Sequence, residues 1–444
     1  TETSNNFGLN TTVEPGSLFP IVTETRSDFY EGGATAQKFT TATFAYDDFG
    51  NVTNYTSTGD NLEAISSTIQ YHEILGNYIV GTPSSIIVTD DENNTLRQRE
   101  TTIDGNGNVT QIRQFLEDES IAQHNMTYFA NGNLRQIKRP TNATGQRLFS
   151  DYTYDSAVQT YVTGVSDTYG YSSSNAYDFR FGQMLTSTDI NGNIISYTVD
   201  DAGRISEIRG PFEQTTTKPT IRFDYFPDAN IPYASTKHFD PSHPTNDLET
   251  VTFMDGLMRP VQVKKDAHVH GKYHVDLEKM IVSGKIIYDA YGRTIETYYP
   301  VTEDVGTAAV FNTNIDTENP TQTTYDVLDR PLSITLPDAS TITNQYGFGN
   351  DRNGTQQFQT QIIDANGIKK KQFTNSRGLT TATWEQLNQA TNNQNPWLWT
   401  SYIYNPINEL MSVMDDPGDE ITYQYDWFGR RLEMDHPDGG ITSF

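Results

Sequence analysis

Apolar residues alternate with polar ones along nearly the whole chain, and Gly, Asn and Asp break the alternation at short intervals. Alternation of period two puts successive side chains on opposite faces of a strand, whereas a helix needs the i, i+3, i+4, i+7 spacing, which is almost absent. The pattern predicts an all-β chain. Near the C-terminus Ile421, Tyr423 and Tyr425 share one strand face, with Thr422 and Gln424 on the other. Asp426-Trp427-Phe428-Gly429 follows, then Leu432 and Met434. This reads as a hairpin in which Asp caps the turn and Gly supplies the positive φ of a short β loop.

The same turn recurs. Tyr46-Asp47-Asp48-Phe49-Gly50-Asn51, Tyr288-Asp289-Ala290-Tyr291-Gly292-Arg293 and Tyr425-Asp426-Trp427-Phe428-Gly429-Arg430 are three clean copies. Tyr325-Asp326-Val327-Leu328-Asp329-Arg330 and Tyr404-Asn405-Pro406-Ile407-Asn408 carry Asp or Asn at the glycine position, the residues that best tolerate left-handed backbone after Gly. Looser copies run from Asp104 to Gly107, Asp189 to Gly192, Asp200 to Gly203 and Asp364 to Gly367. In Asp255-Gly256-Leu257-Met258-Arg259 a methionine occupies that position, so Gly256 is expected to take the role in a shifted turn. Gly192 and Gly203 lie 11 residues apart, and Asn408 and Gly429 lie 21 apart. A unit is therefore one hairpin of about 21 residues, too small to be stable alone, and the units must pair edge to edge in a continuous curved sheet.

Residues 1–444 are expected to form one repeat segment of a longer polypeptide, with excursions near 238–247, 267–280, 301–321 and 386–396. The chain carries 57 acidic against 30 basic residues, a net charge of −27, which disfavours nucleic acid and anionic membrane surfaces. It has no cysteine, which excludes disulfides, thiol nucleophiles and cysteine metal sites. No window holds the apolar run of a membrane helix. With 26 Tyr against 4 Trp and 8 Met, aromatic side chains must carry much of the burial.

The Tyr-Asp-x-x-Gly-Arg turns, spread from Tyr46 to Arg430, resemble those of the RHS or YD-repeat proteins. That family includes bacterial RHS toxins, the B and C components of insecticidal toxin complexes, and teneurins. Ile69 to Glu100 and Phe253 to Thr302 look like the toxin-complex B and RHS toxin subgroup. The resemblance implies a sheet wound as a spiral into a hollow shell that, in bacterial members, encloses a C-terminal toxic polypeptide. The best-known shells end in an autoprotease with an Asp-Pro-x-Gly type signature; Asp416-Pro417-Gly418 lacks that pattern, so neither protease nor toxin is expected in this stretch.

Other candidate chemistry is sparse. His268 and His270 alternate onto one face with Asp266, and His274 follows, a donor set that suits Zn²⁺; the polar neighbours instead suggest an exposed loop. Asp104-Gly105-Asn106-Gly107-Asn108 imitates the opening of a calcium loop, but Phe115 stands where a bidentate Glu is needed. Asp47-Asp48, Asp90-Asp91, Asp200-Asp201 and Asp415-Asp416 are adjacent carboxylates that a strand points to opposite faces, unlike a glycosidase pair. Tyr171, Tyr298 and Tyr299 are candidates for sugar stacking, against the plainer role of cross-strand packing. No catalytic elbow, phosphate loop or metalloprotease helix is present. No metal, cofactor or catalytic activity is expected, and Tyr46, Asp47, Gly50, Tyr288, Asp289, Gly292, Arg293, Tyr325, Asp326, Arg330, Tyr425, Asp426, Gly429 and Arg430 are expected to be structural turn residues. The functional expectation is a secreted or cell-surface bacterial shell segment that encloses or delivers a downstream polypeptide toxin, partnered by the rest of its chain and by other subunits. The alternative is an adhesion or surface-appendage scaffold.

Overall fold

The computed structural model describes residues 1–10, 19–118, 120–242, 247–270, 276–314, 317–387 and 397–444. It is all-β, with long antiparallel sheets and one short 3-10 turn at Leu75–Asn77 among the described residues. Two compact units make up the chain: Thr1–Phe149 with Thr343–Phe444, and Ser150–Ile342.

In the first unit, strands from Glu2–Asn10 to Leu134–Thr141 each pair antiparallel with the next. A second ladder of the same unit runs from Gln356–Ile363 to Gly440–Ser443. Short hairpins dictate this order, because a turn of a few residues can only return the chain beside itself. The register slips once per Tyr-Asp hairpin, for example between Ala45 and Tyr46 and between Gln424 and Tyr425. That slip is the bulge left when a type I turn ends in a left-handed residue, and it fixes the register of each repeat.

In the second unit, strands from Val162–Asp167 to Asp276–Val282 form one ladder, edged by Val301–Asp304. Ile286–Tyr288, Thr294–Thr297, Thr321–Tyr325 and Pro331–Thr335 belong to another. The chain changes sheet at Ser283-Gly284-Lys285, where a Cβ on Gly284 would collide with the backbone carbonyl of Tyr298. Only glycine permits so close a crossing.

One expected excursion, 267–280, is corrected by these ladders, and another, 301–321, is strand only at Val301–Asp304 and from Thr321. Residues 267–270 and 276–280 are strand, with His268 opposite Glu278 and Ala267 opposite Lys279. Their alternation of charged and apolar side chains is that of a two-sided hairpin, which polarity alone disguised as a loop. Val301–Asp304 pairs with Asp276–Val282, and the chain after it folds back over the sheet. There Lys264, fully buried, donates to Glu303 Oε1 at 2.7 Å and to the carbonyls of Thr307 and Val310. Gln262 and Asn312 exchange two further bonds of 2.8 and 2.9 Å. The fold-back seats Ala308 and Phe311 on Val251, Phe253 and Met280, a buried cluster of the second unit. Of the remaining excursions, 243–246 and 388–396 lie outside the described residues.

Candidate functional site

The Tyr-Asp turn is a self-contained hydrogen-bonding device. In the turn headed by Asp289, Gly292 N–H donates to the Asp289 carbonyl at 3.1 Å, and Asp289 N–H donates to the Arg293 carbonyl at 2.9 Å. One carboxylate oxygen accepts the N–H of Tyr291 and of Arg293, each at 2.9 Å, and the other accepts Arg293 Nε at 2.7 Å. Asp326 with Arg330, Asp426 with Arg430 and Asp255 with Arg259 repeat the arrangement. In the turn headed by Asp47, Asn51 Nδ2 replaces the guanidinium at 2.8 Å, and Phe49 and Asn51 N–H complete it. Asp155 is the extreme case: its two oxygens accept five backbone N–H groups, from Ala157 to Tyr161.

The left-handed residue closes each turn. Gly50, Gly292 and Gly429 have φ of 85°, 84° and 78°, and Asp329 and Asn408 take the same position at 62° and 70°. Met258 does so as well, at 62°, with its N–H on the Asp255 carbonyl at 3.0 Å, so the expected shift to Gly256 does not occur. The three bonds that the Asp255 carboxylate accepts from Leu257 and Arg259 hold the turn in register against the cost of a bulky left-handed residue.

In several repeats tyrosine couples its turn to the preceding hairpin. Tyr46, Tyr288 and Tyr325 donate their phenols to the carbonyls of Val22, Pro260 and Thr294, at 2.8, 3.1 and 2.8 Å. Pro260 and Thr294 are the residues directly after Arg259 and Arg293, whose guanidinium groups lie 4.3 and 5.0 Å from the Tyr288 and Tyr325 rings. Asp thus holds Arg, Arg stacks on the next Tyr, and that Tyr caps the backbone beside the same Arg. The coupling spans the change of sheet, since Tyr288 and Pro260 stand on strands of different ladders.

These bonds set the electrostatics. The guanidinium of Arg259 holds the Asp255 carboxyl below its ordinary range. For Asp289, Asp326 and Asp426, burial opposes ionisation, but the backbone N–H and guanidinium of Arg293, Arg330 and Arg430 outweigh it and keep all three low. Such carboxylates are committed acceptors rather than poised acids or bases.

The other candidates are placed as follows. His268 Nε2 lies 4.0 Å from Glu278 Oε1, on a paired strand rather than in a loop, and His270 stands opposite Asp276. His274 lies outside the described residues. Among the described residues no group of three or more His, Asp or Glu is gathered as a metal ion would require. Asp104 turns both oxygens onto its own turn, accepting Asn106 N–H, Asn108 N–H and Asn108 Nδ2 at 2.9 to 3.0 Å. Asp415 caps Gly418 and Asp419, while Asp416 accepts the N–H of Trp399 at 3.2 Å. Tyr298 donates to Glu296 at 3.1 Å, and Tyr171 and Tyr299 are exposed.

What sequence reasoning missed is a seam inside the first unit. Turns of the second ladder meet the far ends of hairpins in the first, in order along both. Lys38 Nζ donates to the Gln356 carbonyl at 2.8 Å, Arg377 to the Glu63 carbonyl at 2.7 Å, and Arg97 pairs with Glu409. Trp427 lines an open cavity together with Ile86, Val88, Arg97 and Phe115, and Phe428 lines another with Leu116, Ile121 and Pro140. The separations are 318, 314 and 312 residues, so no local signal marks the seam; its trace in sequence is the pair of aromatic residues at a turn tip.

This architecture has counterparts of known structure. The crystal structure of TcdB2-TccC3 has a TM-score of 0.75 with 15% identity, covering 96% of this chain and 29% of that one. The fold is that of these toxin-complex chains. The same structure without its hypervariable C-terminal region reaches a TM-score of 0.76 at 14% identity, over 99% of this chain and 32% of that one. The Photorhabdus luminescens Tc holotoxin pore gives 0.74 at 13% identity, over 96% and 30%. The chain spans less than a third of the length of these structures. No family model and no curated protein matches the sequence.

Proposed function

We propose that this chain is a non-enzymatic wall segment of a secreted bacterial toxin-complex protein of the RHS or YD-repeat kind, closest to its B component, which encloses or delivers a polypeptide toxin encoded downstream. One observation carries the reading: in the first unit the turns of one ladder abut the hairpin ends of another, so the sheet is widened by its own repeats. A surface that widens in this way gains area with every hairpin and separates two sides. The turn chemistry supports the same role, because in turns such as that of Asp289 the Tyr, Asp and Arg side chains spend their hydrogen bonds on the backbone and on one another. The fold shared with TcdB2-TccC3 supports the same reading, in which the partners are other subunits of a toxin complex and the remainder of its own polypeptide.

Protease protection tests the reading. A polypeptide in its natural place downstream of this segment, in the native assembly, should resist added protease that rapidly digests the same polypeptide alone. Equal rates of digestion would refute the wall, and would leave an external scaffold as the better account.

A further inference from the structure

Five turns of the chain place Asn-Gly at their tip: Asn106-Gly107, Asn131-Gly132, Asn191-Gly192, Asn353-Gly354 and Asn366-Gly367. In all five the glycine is left-handed, with φ between 78° and 88°, and its N–H donates to the carbonyl of the residue that heads the turn, at 2.9 to 3.1 Å. All five asparagines are exposed. An Asn-Gly bond is open to attack on its own side chain, because glycine, without a Cβ, lets its nitrogen reach the preceding carboxamide.

Four of the turns guard that bond in the same way. Asp104, Asp189, Asp351 and Asp364 head them, and one oxygen of each carboxylate accepts two N–H groups at 2.8 to 3.0 Å: that of the asparagine and that of the residue after the glycine. Both ends of the Asn-Gly unit are thereby tied to the head of the turn. The fifth turn has Phe129 at its head, a side chain that accepts no hydrogen bond of this kind. There the N–H of Asn133 turns to Asn131 Oδ1 instead, at 3.1 Å. This bond closes a ring that contains both the Asn131 Cγ and the Gly132 nitrogen, and it places a donor on the oxygen that becomes negative when that carbon is attacked.

We propose that Asn131 is a site of spontaneous modification, the first of the five to be converted to aspartate and isoaspartate. Once the turn opens far enough to free the Gly132 N–H from the Phe129 carbonyl, hydroxide takes that proton and the nitrogen bonds to Asn131 Cγ. The Cγ–Nδ2 bond then breaks, Nδ2 takes a proton from water and leaves as ammonia, and a succinimide remains. Water opens either of its two carbonyls: opening at Cγ gives aspartate, and opening at the main-chain carbonyl gives isoaspartate, in which the chain runs through Cβ and is longer. The net exchange is water in and ammonia out. A longer chain at this point spoils the register that the turn sets, with Leu134 opposite Tyr128, so the hairpin of Ile121–Tyr128 and Leu134–Thr141 loosens with age while the capped hairpins keep their form. The assignment stands on the turn alone and does not depend on the wall reading.

Incubation of the 444-residue protein in mildly alkaline buffer ranks the five sites, with peptide mass spectrometry and enzymatic methylation of isoaspartate as readouts. Asn131 should convert faster than Asn106, Asn191, Asn353 and Asn366 by about tenfold or more, whereas in denaturing urea the five should convert at similar rates, since the dipeptide is the same. Phe129→Asp supplies the missing cap and should slow Asn131 to the rate of the other four. Asp104→Ala removes a cap and should speed Asn106 by about tenfold. A cooperative melting transition establishes that each variant is folded, and the two substitutions guard against the loss of one. Protease should cut the aged protein first between Tyr128 and Leu134, and aged Asn131→Gln protein should be spared that cut. Equal rates in the folded protein, a capped site converting first, the same ranking persisting in urea, or an Asn131 rate untouched by Phe129→Asp would overturn the assignment.

Discussion

Trp427 and Tyr291 sit at the tips of turns of the same build, one headed by Asp426 and the other by Asp289, yet the first is half-buried and the second is 83% exposed. In the first unit the turn row is docked, and its tips include Trp427, Phe428, Pro406 and Arg377. In the second unit the row is open, and what stabilises it is local: the Asp-Arg-Tyr coupling along the row and the fold-back pinned by Lys264. The difference teaches that the turn is complete without a neighbour, so docking adds a second role to a device that already closes its own hairpin.

The largest effect should come from removing the second unit's buttress. Lys264→Met leaves Glu303 buried without its cation, which costs about 3–5 kcal/mol for a buried pair. Urea unfolding should show an early transition confined to the second unit; a single unshifted transition would mean that the fold-back contributes little. The next contrast sets the two tips against each other. Trp427→Ala should cost about 2–3 kcal/mol by opening the seam, whereas Tyr291→Ala in the 444-residue protein should stay within about 0.5 kcal/mol. Equal losses would erase the distinction between docked and open rows.

A smaller effect belongs to the seam ion pair. Arg97→Ala should cost about 1 kcal/mol, and part of the contribution of Arg97 should vanish at high salt in the parent, since both side chains are partly exposed. The last contrast is acid sensitivity. Asp255, Asp289 and Asp326 all sit below their ordinary range, so their contribution is present above the unfolded value near pH 4 and is lost as pH falls through the lower folded value. In the docked row Asn375 and Asn405 head two of the turns and do not titrate. Between about pH 4 and 2, pepsin should therefore cut the second unit first; first cuts in the first unit would reverse the assignment.

Strands and turns were legible because their causes are local. Alternation marks the strands, and an Asp followed by a left-handed residue marks the turns, so Asp47, Asp289, Asp326 and Asp426 could be read directly. Met258 was misread because glycine is the cheap left-handed residue, yet the Asp255 bonds keep the turn in register with methionine there. His268 and His270 looked like loop because charged and apolar residues alternate on a two-sided hairpin. The seam was illegible for a different reason: its partners are more than 300 residues apart, and Lys38 or Glu63 carries no pattern that names Gln356 or Arg377.

The account depends most on that seam. In the cysteine-free background, Arg97→Cys with Glu409→Cys places two thiols across it. A short bis-maleimide should link them within one molecule, at a yield independent of protein concentration, while Arg97→Cys paired with Tyr291→Cys serves as the reference for a docked against an open tip. Efficient intramolecular linkage of 97 to 409 is the result expected. No linkage, or linkage only between molecules, would contradict a sheet that abuts its own earlier repeats.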